Sequence, residues 1–349
     1  MTESTIAPEH QDSADVAPPP IDRRALLLGS GVAAAGLLSI PLLRRVMAQT
    51  APVFVAGNQR YDGPLRRTIR DGLLAVGIDG AGLKGRRVLL KPNLVEPDPA
   101  APQMTTHPAV VLATAEVFLS WGARVVVGEG PGHVRDIDLA LYNAGFEDAL
   151  KTAGLPFVDL NHDQVRRRPN AGRTSKLKAI WFARTVADAD LVVSMPKLKT
   201  HHWVGMTASM KNLYGTLPGI KYGWPKNVLH HAGIPQTVVD INASLPKTVA
   251  VVDGILCMQG DGPIMGKPKP LGMIAVGANL PALDATCARI MQLLPSRISY
   301  LRLAAGRLGP LDEASIIQRG DRWQTLSTPF EVLDVPHLRG LRNRSGENA

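Results

Sequence analysis

Val88-Leu89-Leu90-Lys91-Pro92-Asn93, then Thr106-His107-Pro108, then Arg124-Val125-Val126-Val127 are the residues that decide the fold. The opening apolar run is short and stopped by a proline, so it reads as a buried strand. Thr106 is placed to cap a helix whose first turn holds Pro108, a position where a missing N–H costs nothing. Along that helix Val111, Ala115, Phe118 and Leu119 fall at i, i+4, i+7 and i+8, which makes one apolar stripe, and Gly122 ends it. Arg124–Val127 is then a second strand, closing on Gly128-Glu129-Gly130-Pro131-Gly132. Strand, helix and strand in this order are the pattern of a parallel crossover.

The alternation continues in the C-terminal direction. A helix is expected over Leu139–Leu150, a strand at Phe157–Leu160 and, after a basic polar connection at 161–176, a strand at Ala189–Met195. That strand runs into the loop Pro196-Lys197-Leu198-Lys199-Thr200-His201-His202. A short helix around Ser209–Tyr214, a helix near Gln236–Leu245, strands at Thr248–Val252 and Gly272–Val276, and a helix near Ala282–Leu293 complete the set. The expected fold is α/β, a mostly parallel sheet with helices on both faces. Its strand-end loops should form a Lys/His-rich pocket, because ligands of open α/β sheets sit beyond the carboxyl ends of the strands. The domain boundaries expected are 86–294 for this unit, 49–85 for an N-terminal extension, and 295–349 for a C-terminal extension and basic tail. The last carries a basic helix near Ile298–Leu308 and a strand Phe330–Leu333.

The chain has 349 residues, 45% hydrophobic and 20% charged, an ordinary globular composition. Its formal charge of +9 permits anionic partners of any kind. The basic residues are scattered, however, apart from Arg166-Arg167-Arg168 and the tail around Arg339, Arg342 and Arg344, and aromatics are 5%. Both the basic stripe and the stacking platforms of a nucleic-acid reader are missing, so nucleic acid is disfavoured as a partner. A resident iron–sulfur cluster needs about four thiolates, and Cys257 and Cys287 are the two cysteines of the chain. No such cluster is expected. The two thiols read as buried and apolar-flanked, with a disulfide between them as the alternative.

Residues 1–48 are set apart. Residues 1–20 are polar and proline-rich, which predicts disorder. Asp22-Arg23-Arg24-Ala25-Leu26-Leu27 opens an uncharged stretch through Leu43, and Val46-Met47-Ala48 follows as a small-x-small cleavage triplet. Paired arginines before an apolar run resemble the twin-arginine signal, a receptor-read export address. The expectation is delivery to the periplasm by the twin-arginine export machinery, with cleavage after Ala48. A retained membrane anchor is the alternative, and membrane contact is expected only through this segment.

Six of the nine histidines fall in the strand-end loops: His107, His133, His201, His202, His230 and His231. Among them lie Lys91, Lys197, Lys199 and Lys211, and the carboxylates Glu129, Asp240, Asp253 and Asp284. Ammonium groups hold anions and imidazoles move protons or bind metal. Lys91, Asn93, Lys197, Lys199, Lys211 and Asn212 are therefore candidates for holding a small anionic molecule, and His107, His201 and His231 candidates for proton transfer. The pairs His201-His202 and His230-His231 raise a metal site, but neighbours on an extended chain point opposite ways and no carboxylate stands at a standard ligand offset. Metal and organic cofactor are both left open. The run Gly128–Gly132 lacks the Gly-x-Gly-x-x-Gly spacing, and Pro131 removes an N–H that a phosphate cradle would use, so it reads as a tight turn. Neither a Walker loop nor a Gly-x-Ser-x-Gly elbow occurs.

Lys91-Pro92-Asn93-Leu94, Thr106-His107-Pro108, Gly128-Glu129, Pro196-Lys197-x-Lys199-x-His201, Met210-Lys211-Asn212-x-x-Gly215, and Asp253-Gly254-Ile255 with Gly260-x-Gly262-Pro263 occur in order. Together they resemble the family catalogued as domain of unknown function 362, over roughly residues 86–294. Many members of that family carry a Cys-rich, ferredoxin-like segment, and this chain departs from that pattern. The segment Lys197 to Gly219 is also similar to the part of nickel-pincer lactate racemases where lysines and histidines surround the cofactor. The functional expectation is an exported enzyme acting on a small anionic molecule through Lys and His residues. The alternative is a non-catalytic periplasmic metal- or ligand-binding or maturation protein.

Overall fold

Successive side chains of a strand point to opposite faces of its sheet, and here both faces are covered. Val88 and Leu90 enter one core with Val125, Val127, Leu191, Val193, Val249 and Val251. Leu89, Val192, Ala250 and Val252, one residue out of phase, enter the other. The first core is closed by helices Leu65–Ala75, Pro108–Ser120 and Phe146–Ala153, through Ile69, Leu73, Phe118, Phe146 and Leu150. The second is closed by helices Ile234–Ser244, Leu280–Ile290 and Ser299–Ala304, through Val238, Leu283, Ile290 and Leu301. Each such fully buried aliphatic side chain contributes roughly 1.5–3 kcal/mol before chain entropy is subtracted.

The computed structural model describes residues 50–342. The expected disordered segment, the signal and the end of the basic tail, Arg344 included, lie outside the described residues. The strands are β1 (Ala51–Ala56), β2 (Arg87–Lys91), β3 (Arg124–Glu129), β4 (Phe157–Asp159), β5 (Val165–Pro169), β6 (Ala179–Ala183), β7 (Leu191–Ser194), β8 (Lys197–His201), β9 (Gly205–Thr207), β10 (Thr248–Gln259), β11 (Lys267–Gly277) and β12 (Ile316–Gly320). The main sheet has ten strands in the order β12-β1-β11-β10-β7-β2-β3-β4, with β8 on β10 and β9 on β8. From β10 through β4 every pairing is parallel; β11 pairs antiparallel with both β10 and β1. The chain proceeds from β2 to β3 and β4 in one direction, then returns to place β7 on the other side of β2. Strand order therefore reverses at β2, and the loops after β2, β3 and β7 open at one carboxyl edge, where such sheets bind ligands.

Several local expectations are corrected. The N-cap of helix Pro108–Ser120 is His107, whose Nδ1 accepts from Ala109 N at 3.1 Å. Thr106 instead ties two strand ends together: its Oγ1 accepts from Asn93 N at 2.9 Å and donates to Met195 O at 2.6 Å. Leu119, counted in the apolar stripe, is exposed. The helix expected over Leu139–Leu150 is two, Ile137–Asn143 and Phe146–Ala153, broken where Gly145 takes φ 70°. Lys197–His201 is a strand rather than a loop, parallel to β10 and antiparallel to β9. Arg166-Arg167-Arg168, in the stretch read as a polar connection, lies in β5, which forms a separate hairpin with β6. In the C-terminal part the helix is only Ser299–Ala304, and the expected strand Phe330–Leu333 makes a single bridge, Val332 to Gly260. Strands β1 and β12, from the segments read as extensions, are hydrogen-bonded into the main sheet. Cys257 and Cys287 are buried free thiols.

Candidate functional site

Lys91 ends β2 and Glu129 ends β3, its parallel neighbour, and the two side chains meet at the carboxyl edge. The Lys91 ammonium pairs with Glu129 Oε2 and donates to Pro92 O at 2.6 Å and Asn212 Oδ1 at 3.1 Å. Glu129 accepts further N–H groups from Leu94 at 3.1 Å and Gly130 at 2.8 Å. Asn212 Nδ2 in turn donates to Lys91 O and Ser194 Oγ, both at 3.1 Å, which joins β2 to β7. Gly215 packs so tightly here that a Cβ would collide with Glu129 Oε1 and Lys91 Nζ.

The turn Ser209–Asn212 is held from beneath by Asp284, which is wholly buried. Its carboxylate accepts from Ser209 N at 2.8 Å, Ser209 Oγ at 2.5 Å, Met210 N at 3.1 Å and Tyr300 OH at 3.1 Å. Burial pushes its pKa up to about 6 despite those donors. That anchor presents Lys211 and Asn212 to a cavity of about 340 Å³ above the carboxyl edge of the sheet.

Three lysines line the cavity: Lys91, Lys211 and Lys226. Glu129 is the single carboxylate among its lining residues, and it already pairs with Lys91. Lys211 is half-buried and has neither a hydrogen bond nor an ion pair among the described residues; its Nζ sits 4.1 Å from the centre of the Tyr214 ring. Burial, reinforced by the charge of Lys91, pulls its pKa down to about 8. Lys226 is buried at a left-handed backbone position, φ 68°, and donates to Gly130 O at 2.6 Å. Burial pulls it to about 7; Glu129 opposes this, while Lys91 and Lys211 add to it.

The imidazoles of His133, His201, His202 and His230 complete the polar lining. His201 Nδ1 accepts from Trp203 N at 3.1 Å, so the proton of the neutral ring sits on Nε2. Burial, then the charge of Lys211, holds His201 well below the usual imidazole range, and the same causes bring His230 to about 4. Asn93 Oδ1 is buried at the cavity wall with no hydrogen-bond partner among the described residues. Leu94, Trp203, Tyr214, Ile234 and Ile264 supply apolar walls.

Of the residues proposed from sequence, the fold thus brings Lys91, Asn93, Lys211, Asn212 and His201 to one cavity. It places the others elsewhere. Lys197 is sealed beneath the sheet edge, donating to Asp253 Oδ2 at 2.6 Å and Tyr61 OH at 2.9 Å. Asp253 also accepts from Tyr61 OH at 3.1 Å and His107 N at 2.9 Å, and the His107 ring stacks on Tyr61 with centroids 3.8 Å apart. Lys199 is fully buried, bonded to Met104 O at 2.7 Å and Pro263 O at 3.2 Å, and pairs with no carboxylate among the described residues; burial and then Lys197 and Lys211 push its pKa far down. His231 is exposed, and it is His230 that faces the cavity.

Lys226, Trp203 and Tyr214 also line the cavity, outside the residues that the sequence motifs single out. Lys226 had one signal, the turn chemistry of Gly223, Pro225 and Asn227 just before the His230-His231 pair. For a metal the donor set does not fit: among the described residues no three His, Cys, Asp or Glu side chains stand together to hold an ion.

Among solved structures, the lactate racemase apoprotein from Thermoanaerobacterium thermosaccharolyticum aligns with a TM-score of 0.44 and 14% identity, over 70% of this chain and 57% of that one. The chain thus spans little more than half the length of that protein. Thylakoid-associated protein sll1697 of Synechocystis sp. is 30% identical over 258 residues, 72% of this chain and 78% of that protein. Residues 88–289 match the family described as Domain of unknown function (DUF362), a span that holds β3, β7, all of β2 but its first residue, and every cavity residue named above. With more than half its length matched, the chain belongs to the DUF362 family.

Proposed function

We propose that the protein binds a small organic anion in the strand-end cavity and acts on it through Lys and His side chains. One observation carries this: three lysines face the cavity against a single carboxylate, and that carboxylate is engaged by Lys91. Holding unbalanced ammonium groups out of water is unfavourable, and an incoming anion relieves that cost. The volume suits a molecule of metabolite size. Lys211 and Lys226 would hold the anionic group, and Asn93 and Asn212 would orient the rest. His201, donating from Nε2, and His230, neutral at pH 7, are the proton-transfer candidates.

A thermal-shift series with small carboxylates and phosphates tests the binding. Some member of the series should raise the melting temperature, and Lys211→Met should weaken that ligand by roughly tenfold to a hundredfold, the worth of one charge-assisted hydrogen bond. Ligands that stabilise wild type and Lys211→Met equally would refute this assignment. Mass spectrometry of the bound compound after incubation separates the two classes: a changed compound means catalysis, an unchanged one a binding or maturation protein.

Export by the twin-arginine route is part of the same proposal, supported by Arg23-Arg24 ahead of the uncharged run and Val46-Met47-Ala48 behind it. Arg23→Lys with Arg24→Lys should hold the chain in the cytoplasm of its host. Unchanged fractionation of that double variant would count against the route, and the mass of the exported chain reports cleavage or retention of the segment.

A further inference from the structure

Lysines at the sheet edge differ in one respect. Lys91 has Glu129, Pro92 O and Asn212; Lys197 has Asp253 and Tyr61; Lys199 has Met104 O and Pro263 O; Lys226 has Gly130 O. Lys211 lines the cavity with no acceptor among the described residues, and its Nζ lies over the Tyr214 ring face. An ammonium group has three hydrogens to satisfy, and a half-buried position where the protein offers none of them an acceptor favours the free amine.

We propose that Lys211 is a nucleophilic amine that condenses with the carbonyl carbon of a small anionic aldehyde or ketone, such as a 2-oxo acid, to form an imine. This rests on anion binding in the same cavity. Desolvation beside a second cation is a recognised way to activate a lysine, and Lys211 has both: burial and Lys91 bring it to about 8, so an appreciable part is unprotonated near neutral pH. The lone pair of Nζ attacks the carbonyl carbon, and the C=O pair becomes an alkoxide that takes a proton. The nitrogen then loses one proton, the oxygen takes a second and leaves as water, C=N forms as the protonated imine, and this gives up its remaining N–H proton. Amine plus carbonyl gives imine plus water, with no change of oxidation state. Lys226, near neutrality at about 7, stands at the cavity to supply and recover those protons, and His201 Nε2–H is placed to donate a hydrogen bond to the alkoxide. Tyr214, Trp203 and Ile264 form apolar walls that limit hydrolysis.

Glyoxylate, pyruvate and 4-oxobutanoate, each with sodium borohydride, are the probes, because reduction freezes an imine as a secondary amine. Peptide mass spectrometry should find the reduced adduct, a 1-carboxyethyl group in the case of pyruvate, on Lys211 about tenfold or more above exposed lysines. Lys211→Arg removes the nucleophilic amine, so the adduct on this peptide should be lost. Labelling spread over surface lysines with Lys211 unmarked overturns the imine; if the probes still raise the melting temperature, anion binding survives it. A chain that none of the probes stabilises or labels loses the imine, while the wider carboxylate and phosphate series decides anion binding separately. The wild-type labelling stands whether or not the variant folds.

Discussion

Two buried lysine–carboxylate pairs sit at the carboxyl edge of one sheet, Lys197 with Asp253 and Lys91 with Glu129. Both come from family motifs, and both side chains of each pair are almost wholly removed from water. The Asp253 pair is closed: Tyr61 OH, the N–H of His107 and the N–H of Ile255 take up the remaining acceptor positions. The Glu129 pair opens on a cavity with two further lysines and an orphan acceptor on Asn93. A motif lysine in a buried ion pair therefore does not make a site. Surplus charge facing a hollow sets the Glu129 region apart.

The largest effect should come from breaking the pairs. Asp253→Asn and Glu129→Gln each strand a buried ammonium and should cost about 3–5 kcal/mol in urea unfolding. Only Glu129→Gln should also tighten anion binding, by roughly tenfold, because it removes the one negative charge near the ligand. Equal affinity changes in the two variants would dissolve the distinction between the regions.

Lysine titration gives the next effect. Lys226 and Lys211 hold their protons to about 7 and about 8 in the folded chain, against 10.5 when unfolded. Between those limits the unfolded state binds more protons, so these groups make the protein more stable as pH rises from about 7, levelling off above about 10.5. Lys226→Met should flatten that slope and leave stability at pH 7 unchanged or up to ~1 kcal/mol higher. Anion affinity should move oppositely and fall between pH 6 and pH 9. A wild-type slope kept in full by Lys226→Met would contradict the buried position of this group.

His107→Ala should cost ~1 kcal/mol through loss of a helix cap and leave anion affinity untouched, since the ring stacks on Tyr61 and not in the cavity. Reduction should have the smallest effect. With Cys257 and Cys287 free and buried, dithiothreitol should not move the melting temperature.

Central strands were legible because burial on both faces demands near-continuous apolar runs, as in Val88–Leu90 and Leu191–Val193. β1, β8 and β12 were not, since their placement depends on partners far away in sequence: β1 pairs with β11 and β12, β8 with β10. Among site residues, Lys91, Asn93, Lys211 and Asn212 could be named from short motifs at strand ends. Choosing His230 over its neighbour His231 required the helical phase of Asn227–His231, which a pair of identical residues does not reveal. Thr106 is the cap that the sequence offers, but Met195 O claims its hydroxyl and His107 Nδ1 accepts from Ala109 N in its place.

Local chemistry determined the layered architecture, the position of the carboxyl edge that bears the cavity and several of the residues that meet there, because strand periodicity, helix ends and proline stops are short-range properties of the chain. Which lysines remain free was decided only in three dimensions. A charge is neutralised by whatever the fold brings beside it, and Asp253, Glu129, Met104 and Pro263 reach their lysines from 38 to 95 residues away.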